Sequence, residues 1–493
     1  MSDVASHSGK LIEARNPRSG ALDFRFKAAD PDEIATIIGG LRAAQPGWAA
    51  LPTSARAAVL ERWADAIEAA RRPIIEALAA DTGRWMLSER EVDGAAKNLR
   101  RWARMAPEIL GERLETEAKP SVLIETVRYQ NQFVPYPVAG FISPWNFPVT
   151  LSLIDAVPAL MAGCAVIIKP SEVTSRFVAP LLETLKDVPE LAEVVRFVLG
   201  DGATGAALID AVDLICFTGS VSTGRKVAEA AARRFIPAFL ELGGKDPVIV
   251  MASADIERAT DAVLRGSVLN AGQVCLSIER VYVDRAIHDV FVARLVEKAR
   301  AVTLNVQDIH EGDIGPMIFA HQADVVSAHL ADAVARGARI ECGGEMVRAG
   351  GVWCPPTVLT GVTHDMAIMR EESFGPLLPV MAFDSLDEAV RLANDTSFGL
   401  SGSVIAGSLE EALPVASRIN AGGISVNDCG LTYMTYEPEK TSFGMSGLGG
   451  SRMGPASVHR FLRKKALIMQ TGAPQPIDAF SEAHAGWQRG EAA

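Results

Sequence analysis

Two short segments of this chain place reactive groups where a backbone bends. LELGGKDP at 240–247 sets a carboxylate, Glu241, between an apolar run and two glycines. GQVC at 272–275 sets a thiol, Cys275, in a Gly-Gln turn 34 residues further on. A thiol and a carboxylate presented from loops of one domain are the minimum for covalent catalysis. The thiolate attacks an electrophile, and the carboxylate prepares a water that releases the product. Either segment alone is weak, because most lone cysteines are buried and inert and Gly-Gly pairs mark turns.

The elements that must position these groups alternate. Between 136 and 250 short apolar strands are expected at Val138–Ile142, Ala165–Lys169, Val194–Leu199, Leu214–Phe217 and Pro247–Met251, separated by helical stretches. That is the βαβ rhythm of a parallel sheet covered on both faces. A second alternating series follows from 253 to about 445, including Tyr282–Asp284 and Val380–Phe383. From about 31 to 111 apolar residues recur at three- and four-residue spacing (Ile34, Ile37, Ile38, Leu41, Ala44; then Val59, Leu60, Trp63, Ile67, Ile74), the core faces of amphipathic helices. Residues 119–134 carry Val122, Ile124, Thr126 and Val127 among polar neighbours and predict a hairpin. RFLRKKALIMQ at 460–470 predicts a late strand.

Composition narrows the function classes. The 493 residues have a formal net charge of −12, with 48% hydrophobic and 22% charged residues, ordinary for a globular enzyme of several domains. An acidic chain lacks the basic footprint of a nucleic-acid-binding surface. No apolar run is long enough to suggest a membrane span, and the polar N-terminus lacks a secretory core. The six cysteines, without CxxC pairing, suit a reducing compartment. The eight histidines form no metal-ligand grouping, so no metal site is expected. A cytoplasmic enzyme is the reading.

Four more segments accompany the two reactive ones: SPWNFP at 143–148, KPSE at 169–172, FTGSVSTG at 217–224 and EESFGP at 371–376. Together, in this order from about 30 to 470, they resemble the aldehyde dehydrogenase superfamily. The resemblance implies an α/β fold with a Rossmann-type cofactor domain, an α/β catalytic domain and a small β oligomerisation flap. On that pattern residues 1–115 and 136–247 form the cofactor domain and 248–445 the catalytic domain. Residues 116–135 and 455–471 supply oligomerisation strands, and 472–493 is a tail. A homodimer or homotetramer is implied.

The resemblance also assigns roles. Cys275 is the nucleophile, Glu241 the general base, and Asn146 with the Cys275 backbone N–H the oxyanion donors. FTGSVSTG follows a strand and opens a helix, where a dinucleotide's pyrophosphate meets free N–H groups. There Phe217, Gly219, Ser220 and Gly224 are expected at the cofactor, with Trp145 and Leu242. Lys169 and Glu172 would bond the ribose hydroxyls, and the Glu172 carboxylate would repel a 2′-phosphate. NAD is therefore preferred, with NADP possible. Glu372 and Phe374 would hold the nicotinamide ribose and ring.

The substrate implied is a small-molecule aldehyde. Phe147, Leu151, Ile154, Leu276, Tyr433, Met434, Tyr436 and Phe443 offer an apolar, aromatic lining that suits a medium aliphatic or aromatic aldehyde. Arg280 and Arg452 are candidate cationic anchors, although no paired-arginine signature for a substrate carboxylate stands out. A semialdehyde-specific or CoA-acylating relative is the alternative within the class, and a non-catalytic protein on the same fold the alternative outside it. Three departures from the family pattern stand out: Ile154-Asp155 where many relatives carry Trp-Lys, Ser277 where a smaller residue is common, and a shortened SFGMSGLGGSR at 442–452.

Overall fold

The computed structural model describes residues 9–113 and 117–482. Positions 1–8, 114–116 and 483–493 lie outside the described residues, and with them the boundary drawn at 115/116 and half of the expected tail.

The first of two large sheets holds five parallel strands in the order Ala238–Glu241, Leu214–Thr218, Val138–Ile142, Ala165–Lys169 and Val195–Phe197, with Gly447–Leu448 added antiparallel at one edge. The chain starts at the centre, builds outward on one side, then returns to build the other. That reversal falls between Val138–Ile142 and Leu214–Thr218 and opens a crevice at their carboxyl ends. SPWNFP and FTGSVSTG both leave the sheet there. The helices Pro31–Ala50, Thr53–Ala69, Arg71–Thr82 and Met86–Arg113 share one apolar core with this sheet, and the expected core positions Ile34, Leu41, Leu60, Trp63 and Ile74 are buried in it. Asp30 fixes the start of the first of these by accepting the Glu33 amide, ahead of Pro31.

The second sheet runs Arg339–Cys342, Thr357–Thr360, Leu377–Phe383, Ile278–Asp284, Asp246–Val250, Ser401–Ile405 and Gly423–Val426. Only the first pair is antiparallel. Along Asp246–Val250, Val248 and Val250 face one apolar cluster and Ile249 the other, so both faces of the strand are covered. This corrects the sequence reading, which ends the first series with that strand. The chain leaves the first sheet at Glu241, and the Gly243-Gly244 pair lets it cross and start the centre of the second.

A third, separate sheet pairs Leu462–Gln470 with Val127–Pro135 along nine residues, and Lys119–Pro120 beside them. Ile468 on its last strand and Val122 and Leu123 in the turn between the first two strands are exposed. A short hairpin, Leu11–Arg15 with Leu22–Lys27, was not anticipated. Among the described residues no helix is long and apolar enough to cross a membrane.

Candidate active site

Cys275 follows an unusual turn. After the helix Ile256–Val268, Asn270, Ala271 and Gly272 take φ of 55°, 55° and 71° in succession. Two non-glycine residues in the left-handed region cost about 1–3 kcal/mol each and persist only where the surroundings hold them. Gln273 does so: its Nε2 donates to the Asn270 and Pro316 carbonyls at 2.8 and 3.2 Å, and its Oε1 accepts the Ile318 amide at 2.8 Å. Gly272 is required, since a Cβ there would sit 2.2 Å from the Gly375 backbone. Burial pushes the Cys275 thiol up to about 12, and nearby Glu372 adds to this while Arg452 and Lys440 oppose it.

Asn146 comes to the same place from the other side. Its Nδ2 donates to the Gln273 carbonyl at 3.0 Å, leaving its second proton for another acceptor. Its own carbonyl accepts Arg84 Nη2 at 2.9 Å and Asn270 Nδ2 at 3.2 Å. Arg84 is buried and paired at 2.7 Å with Glu91, which also accepts the Val149 and Thr150 amides at the start of the helix Pro148–Leu153. This ion pair holds the SPWNFP loop at Asn146 and just past its end at Val149 and Thr150, and nothing in the local sequence marks it.

Glu241 ends its strand with its carboxylate accepting the Ser442 hydroxyl at 2.9 Å. Beside it Arg452 donates to Thr218 Oγ1 at 2.7 Å and pairs with Asp155 at 2.5 Å. Asp155 also pairs with Arg460. Burial alone would raise the Asp155 carboxyl, but the two guanidiniums outweigh it and hold it below its ordinary range. The Ile154-Asp155 departure thus creates a buried acid with two arginines of its own.

On the cofactor side, Ser220 caps the helix Val221–Arg234 by accepting the Thr223 amide. A Cβ at Gly219 would meet the Phe217 ring at 2.5 Å, and one at Gly224 would meet Leu242 at 2.5 Å. The bare backbone over Phe217 at a helix N-terminus fits a pyrophosphate. Lys169 Nζ donates to the Gly200 carbonyl at 2.7 Å and lies 3.5 Å from Glu172, whose carboxylate is partly exposed. Phe374 adopts φ 51° and meets Trp145 edge-on at 5.3 Å. Its amide and that of Ser373 donate to buried Glu279 at 2.8 Å each, and Lys245 donates to the same carboxylate at 2.5 Å. Glu372 accepts the Gly244 amide at 3.1 Å, and burial together with the neighbouring Glu279 pushes it up to about 8.

One cavity of about 420 Å³ brings the reacting groups together, lined by Cys275, Glu241 and Asn146. Phe147, Leu151, Ile154, Leu276, Tyr433, Met434 and Tyr436 line it too, as does Leu242. Phe443 does not. Its amide donates to the Gly399 carbonyl at 2.9 Å and its Cβ packs on Gly399, so the structure does not place it among the residues that line the cavity. Arg280 is also no anchor: it is buried and its guanidinium is spent on the Lys245, Leu392 and Ala393 carbonyls. Arg452 does reach the cavity, with Thr218, Lys440 and Arg90, none of which a local motif announces.

A nucleotide crevice at the switch point of one sheet, beside a cysteine, a carboxylate and an amide in one cavity, defines an NAD(P)-dependent aldehyde-oxidising class. The profile of the aldehyde dehydrogenase family matches residues 4–467, and the chain belongs to that family. A Mycolicibacterium smegmatis protein provisionally named as an NADP(+) succinate-semialdehyde dehydrogenase is 38% identical over 400 residues, 80% of this chain and 77% of its own length. A 4,4′-diapolycopene aldehyde oxidase of Methylomonas sp. is 39% identical, covering 85% of this chain and 78% of that protein. The solved structure of a provisionally named aldehyde dehydrogenase, PutA, of Anabaena variabilis superimposes with a TM-score of 0.91 at 51% identity, covering 95% of this chain and 99% of that one. The chain is an aldehyde dehydrogenase using a nicotinamide cofactor, NAD or NADP.

Proposed function

We propose that this enzyme oxidises an apolar-bodied aldehyde, medium aliphatic or aromatic, to the free acid, with Cys275 as nucleophile and Glu241 as base. The observation that carries the reading is the convergence of Cys275, Glu241 and Asn146, from three separate elements, on one largely apolar cavity. The Cys275 thiolate forms a C–S bond to the aldehyde carbon. The resulting oxyanion accepts hydrogen bonds from the free Asn146 Nδ2–H and the Cys275 N–H, and each such donor is worth about 10²–10³ in rate. The nicotinamide, when bound, supplies the acceptor for the hydride, and the C–H bond breaks as the carbonyl re-forms to give a thioester on Cys275. Glu241, oriented by Ser442, takes a proton from water; the new C–O bond forms, the C–S bond breaks, and acid and thiol are left.

A thiol raised to about 12 needs local help to ionise. Arg452 and Lys440 provide positive charge at the cavity, and Glu241 lies in the same cavity to receive the proton. A base beside the thioester favours hydrolysis over transfer to coenzyme A. The retained triad disfavours a non-catalytic role. Around the cofactor, Trp145, Phe217, Gly219, Ser220, Gly224, Leu242 and Phe374 would frame the dinucleotide, Glu372 the nicotinamide ribose, and Lys169 with Glu172 the adenine ribose.

The test compares two variants under pre-steady-state conditions. Cys275→Ala is expected to abolish aldehyde-dependent cofactor reduction. Glu241→Gln is expected to release about one equivalent of reduced cofactor in a burst and then stall, slowed about 10²–10⁴-fold. Oxidation by Cys275→Ala at the wild-type rate would sink the mechanism.

A further inference from the structure

Beyond Ile154 and Tyr436 the reaction cavity adjoins a side chamber of about 270 Å³, the two sharing Arg90, Thr150, Ile154 and Tyr436. The chamber's outer wall is one face of the helix Met86–Arg113. Arg90, Gly94, Lys97 and Arg101 follow one another there at spacings of four, three and four, the interval that aligns side chains along a helix. None of the ten lining residues is acidic.

The acids near these cations have closer partners. Among the described residues, none of Arg90, Lys97 and Arg101 makes an ion pair within 4 Å, although Lys97 feels the Asp93 charge and Arg101 that of Glu437. Glu91 is held by Arg84 and Asp93 by Arg71 at 2.6 Å, while Glu437 accepts the Tyr436 amide at 3.0 Å. Arg101 stacks on the Tyr436 ring at 4.4 Å and donates Nη2 to Asn98 at 2.8 Å, which fixes its plane, yet its buried Nε has no partner. Gly94 makes the room. A Cβ there would meet nothing within 4 Å, so a larger side chain at this position would occupy the chamber.

Resting on the function proposed above, we infer that this chamber is an anion subsite and that the preferred aldehyde carries a negatively charged group, carboxylate or phosphate ester, at the end remote from the aldehyde. Arg101 is half-buried while Arg90 and Lys97 are exposed at the rim, so three like charges converge on one concave space and favour an anion there, most strongly at low salt. The apolar cavity takes the carbon chain, and the Arg90–Lys97–Arg101 face takes its end.

The test measures kcat/KM for ω-oxoalkanoates against n-alkanals of matched chain length, with ω-oxoalkyl phosphates as a third series. At one length the charged aldehyde should exceed its alkanal by about tenfold or more, and Lys97→Gln/Arg101→Gln should bring that ratio down toward one. Gly94→Leu, which fills the chamber, should reduce the same ratio without removing a charge. A phosphate preferred over the carboxylate would assign the tail to a phosphate ester. Equal rates for charged and neutral aldehydes at every length, or a ratio untouched by Lys97→Gln/Arg101→Gln in a variant with wild-type thermal stability, would overturn the subsite. Turnover of alkanals alone leaves the proposed function standing. No turnover of any series would sink both.

Discussion

At the scale of single residues, two carboxylates carry the proposed cofactor contacts. Glu172 stands partly exposed beside buried Lys169, and on the proposed cofactor placement a ribose 2′-phosphate would crowd it. Glu172→Gln removes the repelling charge and keeps the lysine, so the ratio of NADP to NAD turnover should rise about tenfold. A ratio that does not move would mean another group selects the cofactor. Glu372 behaves differently. Burial first, then Glu279, lift it from its ordinary 4.5 to about 8. Below 4.5 it is protonated whether folded or unfolded. Between 4.5 and 8 the unfolded chain releases this proton while the folded chain keeps it, so stability falls as pH rises through that window. Glu372→Gln lacks the proton to lose. Thermal melts of the cofactor-free protein should therefore show wild type losing ground to Glu372→Gln between pH 5 and pH 8, and a difference flat in pH would contradict the raised value.

At the scale of elements, the loop joining Ala367–Arg370 to the strand Leu377–Phe383 depends on one carboxylate from a neighbouring strand. Glu279 gathers the Ser373 and Phe374 amides and the Lys245 ammonium, and so holds Phe374 in its left-handed backbone. Replacing Glu279 by Gln should loosen this positioning contact, raising the KM for NAD about tenfold, since bonds to buried charged groups contribute about 1.5–3 kcal/mol. Hydrolysis of an activated ester by Cys275 needs no nicotinamide and should persist. Loss of both activities together would indicate a general structural role instead.

At the scale of the whole molecule, the three-stranded sheet and the turn joining its first two strands leave Ile468, Val122 and Leu123 in solvent, and exposed apolar edges are a liability that proteins cover. The reading from sequence is that a second copy covers them, in a homodimer or homotetramer. Light scattering should give a multiple of the monomer mass, and Leu123→Glu/Ile468→Glu should lower it. A monomeric wild type at micromolar concentration would end that reading.

Much of this enzyme is written locally. Buried parallel strands announce themselves as apolar runs, and the reactive turns by glycines beside Cys275 and Glu241, because a backbone that must bend needs particular residues at the bend. What lies far apart in the chain is silent. Asp155 reads as a departure until the fold brings Arg452 and Arg460 against it, the latter 305 positions away. Arg84 with Glu91 and Lys245 with Glu279 look like ordinary surface charges in the sequence, and only packing reveals them as buried clamps. Phe443 has the right chemistry for the substrate wall, but the course of its loop seats it on Gly399. The chain's local chemistry decides which groups can react; the assembled fold decides which of them meet, because burial and charge pairing are properties of neighbours in space.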